Sequence, residues 1–149
     1  MRKITLALTC LFAQPLWAGD IVVTDAFARV ARPGAPTGAV FMTLHNEGSV
    51  DDRLIGASTP LAQIAQIHTQ IDDNGIMRMR EVKDGIPLAA GGLHLFQRGG
   101  DHVMLMGITE DLADGDMVSL TLHFEGIGDM TLEVPVDNQR GQETKAKSP

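Results

Sequence analysis

The chain has 149 residues. That length is enough for one hydrophobic core and not comfortably for two, so we expect a single domain. The formal net charge is −7, because 19 acidic side chains outnumber 12 basic ones. An acidic protein of this kind is a poor candidate for binding nucleic acid or an anionic membrane surface.

The first eighteen residues have the layout of a secretory signal peptide. Two basic residues precede a mostly apolar run, Ile4–Trp17, and Ala18 supplies a small residue at the expected cleavage site. The run is too short to cross a bilayer, which requires roughly 20 residues. A lipid anchor on Cys10 is disfavoured, because apolar residues continue beyond this cysteine. We therefore expect export to the periplasm without membrane insertion.

Cleavage after Ala18 would remove the only cysteine and the only tryptophan of the chain, together with Arg2 and Lys3. The net charge would change from −7 to −9, because two positive charges leave with the leader. A mature chain without cysteine has no disulfide, no thiolate metal ligand and no thiol nucleophile.

Short segments in which apolar residues alternate with period two follow the leader, and Gly, Pro, Asn and Asp interrupt them. No stretch keeps a 3.6-residue period over three turns, so helices are not predicted. Many short strands with frequent turns favour an antiparallel sandwich or barrel. The pattern predicts strands near Ile21–Val30, Ala39–Asn46, Asp52–Ala57, Gln63–Ile71, Ile76–Val82, Gly92–Phe96, His102–Met106, Met117–Phe124 and Met130–Val136.

These boundaries divide the chain into three parts. We expect a signal peptide over residues 1–18, one β domain over residues 19–136, and a polar tail over residues 137–149. The tail has few apolar residues to bury, so we expect it to be disordered.

Methionine is unusually frequent in the predicted strands. Met77 and Met79 lie on one face of one strand, and Met104 and Met106 lie on one face of another. By the same alternation, His102 shares its face with Met104 and Met106. One methionine on a strand is more often a core residue than a ligand, so the interpretation depends on the combination.

The turn that follows the strand of His68 limits where Met79 can lie. A four-residue loop would place His68 directly opposite Met79, where side chains share a face. A two-residue Asn74-Gly75 turn, the stronger local signal, would place Met79 opposite Gln70, one diagonal step from His68. Only an odd-length loop would separate the two side chains onto opposite faces.

Imidazole and thioether ligands together indicate a particular metal chemistry. Imidazole binds several transition metals, but the soft sulfur of methionine selects Cu(I) in a site without thiolate. A thioether carries no proton near neutral pH and cannot form a disulfide, so it suits an oxidising compartment. A blue-copper electron-transfer centre needs a cysteine thiolate, which this chain lacks after cleavage.

Three segments resemble the PCu(A)C family of periplasmic copper chaperones. They are Ile67-His68, the segment Gly75–Arg80 (GIMRMR) and the segment Gly99–Gly107 (GGDHVMLMG). The family pattern is a His, ten residues, a Met, about twenty-one residues and His-x-Met. Supporting similarity runs through residues 32–42, 86–88 and 112–116.

This resemblance implies a cupredoxin-like, antiparallel Greek-key β-barrel or sandwich that carries one Cu(I) ion per chain. It also implies delivery of copper to the CuA subunit of cytochrome c oxidase, alongside Sco-type copper proteins. Carried over by position, the implied metal ligands are His68, Met79, His102 and Met104. The implied protein is a metallochaperone, not an enzyme.

The sequence departs from the family pattern at two places. Many relatives have a methionine two residues after the first His, where this chain has Gln70. The spacing between Met79 and His102 is one residue longer than the common form, which a loop around residues 91–92 or 98–100 can absorb. The C-terminal tail has neither His nor Met, so we expect a single site.

Other residue types in the sequence have structural or alternative interpretations. Asp72-Asp73 is interpreted as a turn former, and no Ser/His/Asp nucleophile motif is recognisable. Met77 and Met106 are interpreted as an apolar collar around the ion. The remaining methionines and histidines are assigned to core, surface or structural roles: Met42, Met117, Met130, His45, His94 and His123.

The alternative function is a metal-free periplasmic interaction module with an adaptable methionine surface, and a copper oxidase is disfavoured.

Overall fold

Ten β-strands and no helix are formed by residues 20–140, the part of the chain that this computed structural model describes. The predicted signal peptide therefore lies outside the described residues. The strands are β1 (Ile21–Val30), β2 (Thr37–Asn46), β3 (Asp52–Ser58), β4 (Ala62–Asp73), β5 (Ile76–Glu81), β6 (Ile86–Leu88), β7 (Leu93–Phe96), β8 (His102–Ile108), β9 (Met117–Phe124) and β10 (Gly128–Pro135).

The strands form two sheets with antiparallel pairing. The first has six strands in the order β1-β2-β8-β4-β5, with β7 also paired to β2, and the second has the order β10-β9-β3-β6. Strands that are neighbours in space are often distant in sequence, since β4 pairs with β8 and β3 pairs with β9. No helix long and apolar enough to span a membrane occurs among the described residues.

The core lies between the two sheets and explains the period-two pattern. Val103 and Leu105 of β8 point inward, as do Val118, Leu120 and Leu122 of β9, and all five are almost completely buried. Burying each such side chain stabilises the fold by about 1.5–3 kcal/mol. The residues between them point outward, so the outer face of the six-stranded sheet carries His102, Met104 and Met106.

The predicted all-β antiparallel architecture is confirmed, and the strand boundaries differ by a few residues. The strand Ile86–Leu88 was missed, because three residues with a central proline show no alternation. Pro87 is tolerated there because β6 is the last strand at its edge of the second sheet.

A β-bulge in β1 changes which of its residues point outward. Val22 and Thr24 pair with His45 and Thr43, but the register shifts by one between Thr24 and Phe27. Asp25 has a positive φ of 54° at this point. After the bulge, Phe27 lies opposite Phe41 and Arg29 lies opposite Ala39 on the outer face.

Residues 137–140, at the start of the predicted polar tail, contact β1. The backbone N–H of Val30 donates to the Asn138 side chain at 2.8 Å, and Arg140 lies over the ring of Phe27 at 4.7 Å. Arg140 also pairs with Asp25 at 3.2 Å. The rest of the predicted tail, residues 141–149, lies outside the described residues.

Candidate metal centre

His68 of β4 and His102 of β8 lie directly opposite each other on the outer face of the six-stranded sheet. Their ring centroids are 6.0 Å apart. His102 is only 3% exposed, because Phe41 packs beside it with ring centroids 6.2 Å apart, and His68 is half-buried. Two imidazoles from distant parts of the sequence therefore meet because β4 pairs with β8.

Each histidine has one nitrogen in a hydrogen bond and one buried nitrogen without a partner. Nδ1 of His102 donates to the Gly100 carbonyl at 3.1 Å, and Nε2 of His68 donates to the Gln66 side-chain oxygen at 3.1 Å. Carbonyl oxygens only accept, so the lone pairs remain on Nε2 of His102 and Nδ1 of His68. These two atoms are buried without a hydrogen-bond partner. Such outer contacts are the usual means of orienting a histidine ligand.

The two proposed thioether ligands lie on the same face as the histidines. Met104 follows His102 by two residues and pairs with Gln66 of β4, while Met79 of β5 pairs with Gln70. His102, Met104 and Met79 line one cavity of about 360 Å³, and Gln70 lines it with them. His68 is not among the residues that line this cavity. It is next to the other three proposed ligands because it lies directly opposite His102.

The hairpin that carries Met79 has the two-residue turn. Asp73 pairs with Ile76, and the intervening Asn74 and Gly75 have positive φ values of 56° and 85°. This confirms the register that places Met79 opposite Gln70 and excludes the four-residue loop. Asp72 acts as a turn former as expected, because its carboxylate accepts from the Gly75 N–H at 2.6 Å.

The donor set fits one soft ion better than a hard one. A metal lies about 2 Å from an imidazole nitrogen, so two rings that share one ion have centroids roughly 5–6 Å apart, and the observed separation falls at the upper end of this range. Among residues 20–140, no three His, Asp or Glu side chains form a metal-binding cluster. The ligands that remain beside the two imidazoles are the thioethers, which favour Cu(I).

Burial keeps His68 in the form that binds metal. Desolvation lowers the pKa of His68, the charge of a protonated His102 lowers it further, and Glu81 opposes both effects. The neutral imidazole is the ligand form, because a proton and a metal compete for the same lone pair. The lowered pKa therefore makes this nitrogen available at neutral pH.

The remaining histidines have carboxylate partners and do not line the cavity. His94 contacts Asp101 at 2.8 Å, His45 contacts Glu47 at 3.4 Å, and His123 contacts Asp129 at 2.6 Å. Met42 is buried in the core, and Met117 is half exposed on the second sheet. Met77 is exposed on β5 and Met106 is half-buried on β8, each on the face of a proposed ligand.

A hydrogen-bonded Ser58, His123 and Asp129 chain lies on the second sheet, where the sequence shows no nucleophile motif. Ser58 Oγ lies 2.9 Å from Nε2 of His123, and Asp129 binds the Nδ1 side of the same ring. A hydrolytic triad also needs an oxyanion hole. These residues lie on the three neighbouring strands β3, β9 and β10, and we interpret the contacts as cross-strand pairing.

Several contributors to the centre were not recognised from the sequence. Gln66 and the Gly100 carbonyl orient the two histidines, and Arg29 and Arg98 line the cavity. Gln66 was recognisable in principle, because a residue two positions from His68 shares its face. Arg29 was not, because it points outward only after the bulge in β1.

Solved structures that match this fold include PCuAC domains. The copper-bound PCuAC domain from PmoF2 matches with a TM-score of 0.65 and 25% identity, over 80% of this chain and 93% of that one. CuI-DR1885 from Deinococcus radiodurans matches with a TM-score of 0.63 and 30% identity, over 86% and 83% of the two chains. Apo-DR1885 matches with a TM-score of 0.64 and 29% identity, over 94% and 95%.

The fold is thus a cupredoxin-like β-sandwich of the PCuAC type, with two histidines and two methionines gathered on one sheet. The family model "Putative lipoprotein LpqE-like" matches residues 21–136, and the chain belongs to this LpqE-like family. A related sequence is "Putative lipoprotein Lxx21020" of Leifsonia xyli subsp. xyli, 32% identical over 124 residues that cover 83% of this chain and 74% of the relative.

Proposed function

We propose that this protein is an exported metallochaperone, not an enzyme, that binds one Cu(I) ion through His68, Met79, His102 and Met104. The observation that carries the proposal is the pair of buried imidazole nitrogens without a partner, on facing residues of β4 and β8. A buried polar atom without a hydrogen bond is costly. Binding an ion there removes that cost.

The relatives support copper as the cargo. Two of the matching structures are named as a copper-bound PCuAC domain and as the CuI form of DR1885. The names of the family and of the Leifsonia protein refer to lipoproteins, which supports export to the cell envelope. We place the protein in the periplasm, in agreement with the signal peptide expected over residues 1–18.

The exposure of the ligands supports transfer by ligand exchange. Met79 is 57% exposed on the edge strand β5, whereas His102 is 3% exposed. A thioether is neutral and binds more weakly than a thiolate, so an incoming thiolate displaces it readily. Met79 leaves first, Met104 follows, and the histidines hold the ion until the recipient has bound it. Copper is then passed without release of free ion.

The recipient in this proposal is the CuA subunit of cytochrome c oxidase, with Sco-type copper proteins acting on the same pathway. This assignment extends the family resemblance and does not rest on a contact in the structure. Direct transfer is measured by mixing two equivalents of the Cu(I) protein with the apo CuA domain under anaerobic conditions, separating the two proteins and determining the copper content of each. A recipient that stays apo in this mixture contradicts the assignment but leaves the copper site intact.

Anaerobic titration against a chromogenic Cu(I) chelator tests the site itself. We expect one equivalent of tightly bound Cu(I), with affinity reduced at least roughly tenfold to a hundredfold by His102→Gln, His68→Gln or Met104→Leu. His123→Gln and Met117→Leu are the matched controls, because these residues lie on the second sheet. A wild-type protein that fails to compete with the chelator would overturn the proposal and favour the metal-free interaction module.

Met79→Leu separates the roles of the two thioethers. We expect Met79→Leu to keep most of the affinity and to slow transfer to a thiolate acceptor, whereas Met104→Leu loses affinity. Met77→Leu, at the neighbouring exposed position on the same strand face, is the control for a general effect on β5. Equal transfer rates in Met79→Leu and wild type would argue against Met79 as the exchanging ligand.

A further inference from the structure

The cavity beside the candidate copper site is positively charged, although the protein as a whole is acidic. Arg29 and Arg98 line it together with Met79, His102 and Met104, and no acidic side chain is among its lining residues. The chain carries a formal net charge of −7. Two cations in a cavity without a lining carboxylate, on an acidic protein, form a local feature that the proposed copper ligands do not explain.

The position of Arg29 follows from the backbone. The bulge in β1 puts Arg29 on the outer face, opposite Ala39 of β2, and Ala39 in turn lies opposite Met104 of β8. Neighbouring strands are spaced by about 5 Å, so the backbones of Arg29 and Met104 lie roughly 10 Å apart. The side chain between them is a single methyl group, which leaves space for a small group above Ala39.

The guanidinium of Arg29 is held in place but incompletely paired. Its Nη2 donates to the Asn138 carbonyl at 3.0 Å, while its buried Nε has no hydrogen-bond partner. Burial lowers the pKa of Arg29, the neighbouring charge of Arg98 lowers it further, and Asp137 opposes both effects. Two like charges in a partly desolvated cavity repel each other, and an anion between them relieves this repulsion.

We propose that this cavity binds a carboxylate group between Arg29 and Arg98, next to the copper site. Guanidinium groups suit carboxylates and phosphates. The rest of the lining favours the carboxylate: it is largely apolar, with Ala39 and Phe41 among its residues. A singly charged carboxylate on a carbon chain matches two arginines and an apolar wall. A doubly charged phosphate would need more donors.

The subsite is coupled to copper, and this coupling, unlike the subsite itself, rests on the proposed function. The four proposed copper ligands are neutral, so bound Cu(I) adds a full positive charge to the two arginines. At a separation of roughly 10 Å, this charge strengthens carboxylate binding roughly twofold to tenfold. Because coupling is reciprocal, the carboxylate retains copper to the same extent. A partner that presents an acidic side chain therefore recognises the loaded form.

Amide NMR titration of the apo protein tests the subsite without copper. The probes are butyrate and an end-blocked peptide with a single glutamate, each at constant ionic strength. We expect saturable shifts near Arg29, Ala39 and Gly99, lost in Arg29→Gln and Arg98→Gln and retained in Arg32→Gln. Arg32 is the matched control, because it is exposed in the β1–β2 turn and does not line the cavity.

Tighter binding of the peptide would assign the carboxylate to an acidic side chain of a partner protein. Tighter binding of butyrate would assign it to a small free carboxylate. Phosphate or chloride binding as tightly as either probe would overturn the proposal, as would unchanged shifts in both arginine variants. Repeating the titration with Cu(I) protein tests the coupling. A failed copper titration removes only the coupling, so the two proposals fail separately.

Discussion

Gln70 is the side chain at which the candidate copper site departs from the pattern of the PCu(A)C family that the sequence resembles. It lies directly opposite Met79 and lines the same cavity, in the position where many relatives carry methionine. Side chains at directly opposite positions have Cβ atoms about 4.5–5.5 Å apart. A sulfur at this position would lie within reach of the proposed ion.

We therefore expect Gln70→Met to bind Cu(I) more tightly than the wild type, by roughly tenfold, because a soft ligand replaces an amide. The competition titration described above measures the change. Gln63→Met, on the same strand but outside the cavity, is the control and should leave the affinity unchanged. An unchanged Cu(I) affinity in Gln70→Met would contradict the expectation that a sulfur at position 70 reaches the ion.

The lowered pKa of His68 predicts a pH dependence of the apo protein. Burial lowers this pKa in the folded state, whereas the unfolded chain titrates near the ordinary value of about 6.5. The unfolded state then binds more protons in this window, so the free energy of unfolding falls as the pH decreases through about 6.5. Well above pH 6.5 the residue is neutral in both states and has no effect.

Urea denaturation of wild type and His68→Gln, measured across pH 5–8, isolates this contribution from other titrating groups. We expect the free energy of unfolding of the wild type to decrease relative to that of the variant as the pH falls. A difference that is independent of pH would contradict the role of burial at His68.

The β4–β5 hairpin is the element that brings Met79 to the site, and its turn was recognisable from the sequence. Asn74-Gly75 favours a two-residue turn because both residues tolerate positive φ. The turn signal did not exclude a four-residue loop, because this loop differs from the two-residue turn only in the hydrogen-bond register of the hairpin. The observed register follows from the pairing of the whole hairpin, from His68–Glu81 to Asp73–Ile76.

Two turn glycines should differ sharply in their tolerance of a side chain. Gly75 has a φ of 85° and open space around its Cβ position, so Gly75→Ala costs only backbone strain, about 1 kcal/mol. Gly85 also has a positive φ, but a Cβ there would collide with the Leu54 carbonyl oxygen. We expect Gly85→Ala to lower the free energy of unfolding by at least about 2 kcal/mol more, as measured by urea denaturation. Equal losses would contradict this packing.

The sandwich as a unit should respond to copper through thermodynamic linkage. A ligand that binds only the folded state at 100 times its Kd stabilises that state by about 2.7 kcal/mol, which for a domain of this size raises the Tm by roughly 10 °C. We expect this rise with Cu(I) under anaerobic conditions. The double variant His68→Gln/His102→Gln should show none, and an equal rise in that variant would indicate binding elsewhere.

The local features of the protein could be predicted from residue types and their order. The alternation of apolar residues indicates strands, Asn74-Gly75 indicates the hairpin, and His102-Val103-Met104 places two ligand types on one strand face. These signals are local, since side-chain direction in a strand depends only on the period of two. The short strand β6 was missed because Pro87 and its two neighbours show no such period.

The meeting of distant residues depended on the packing of the folded chain. β4 and β8 are separated in sequence by β5, β6 and β7, yet they pair and set His68 opposite His102. Strand order is chosen by burial of the core between two sheets, a non-local free energy that no sequence window contains. The bulge at Asp25 likewise could not be predicted from the local sequence. One extra residue there changes the side of the sheet to which every later side chain of β1 points, and Arg29 therefore points outward.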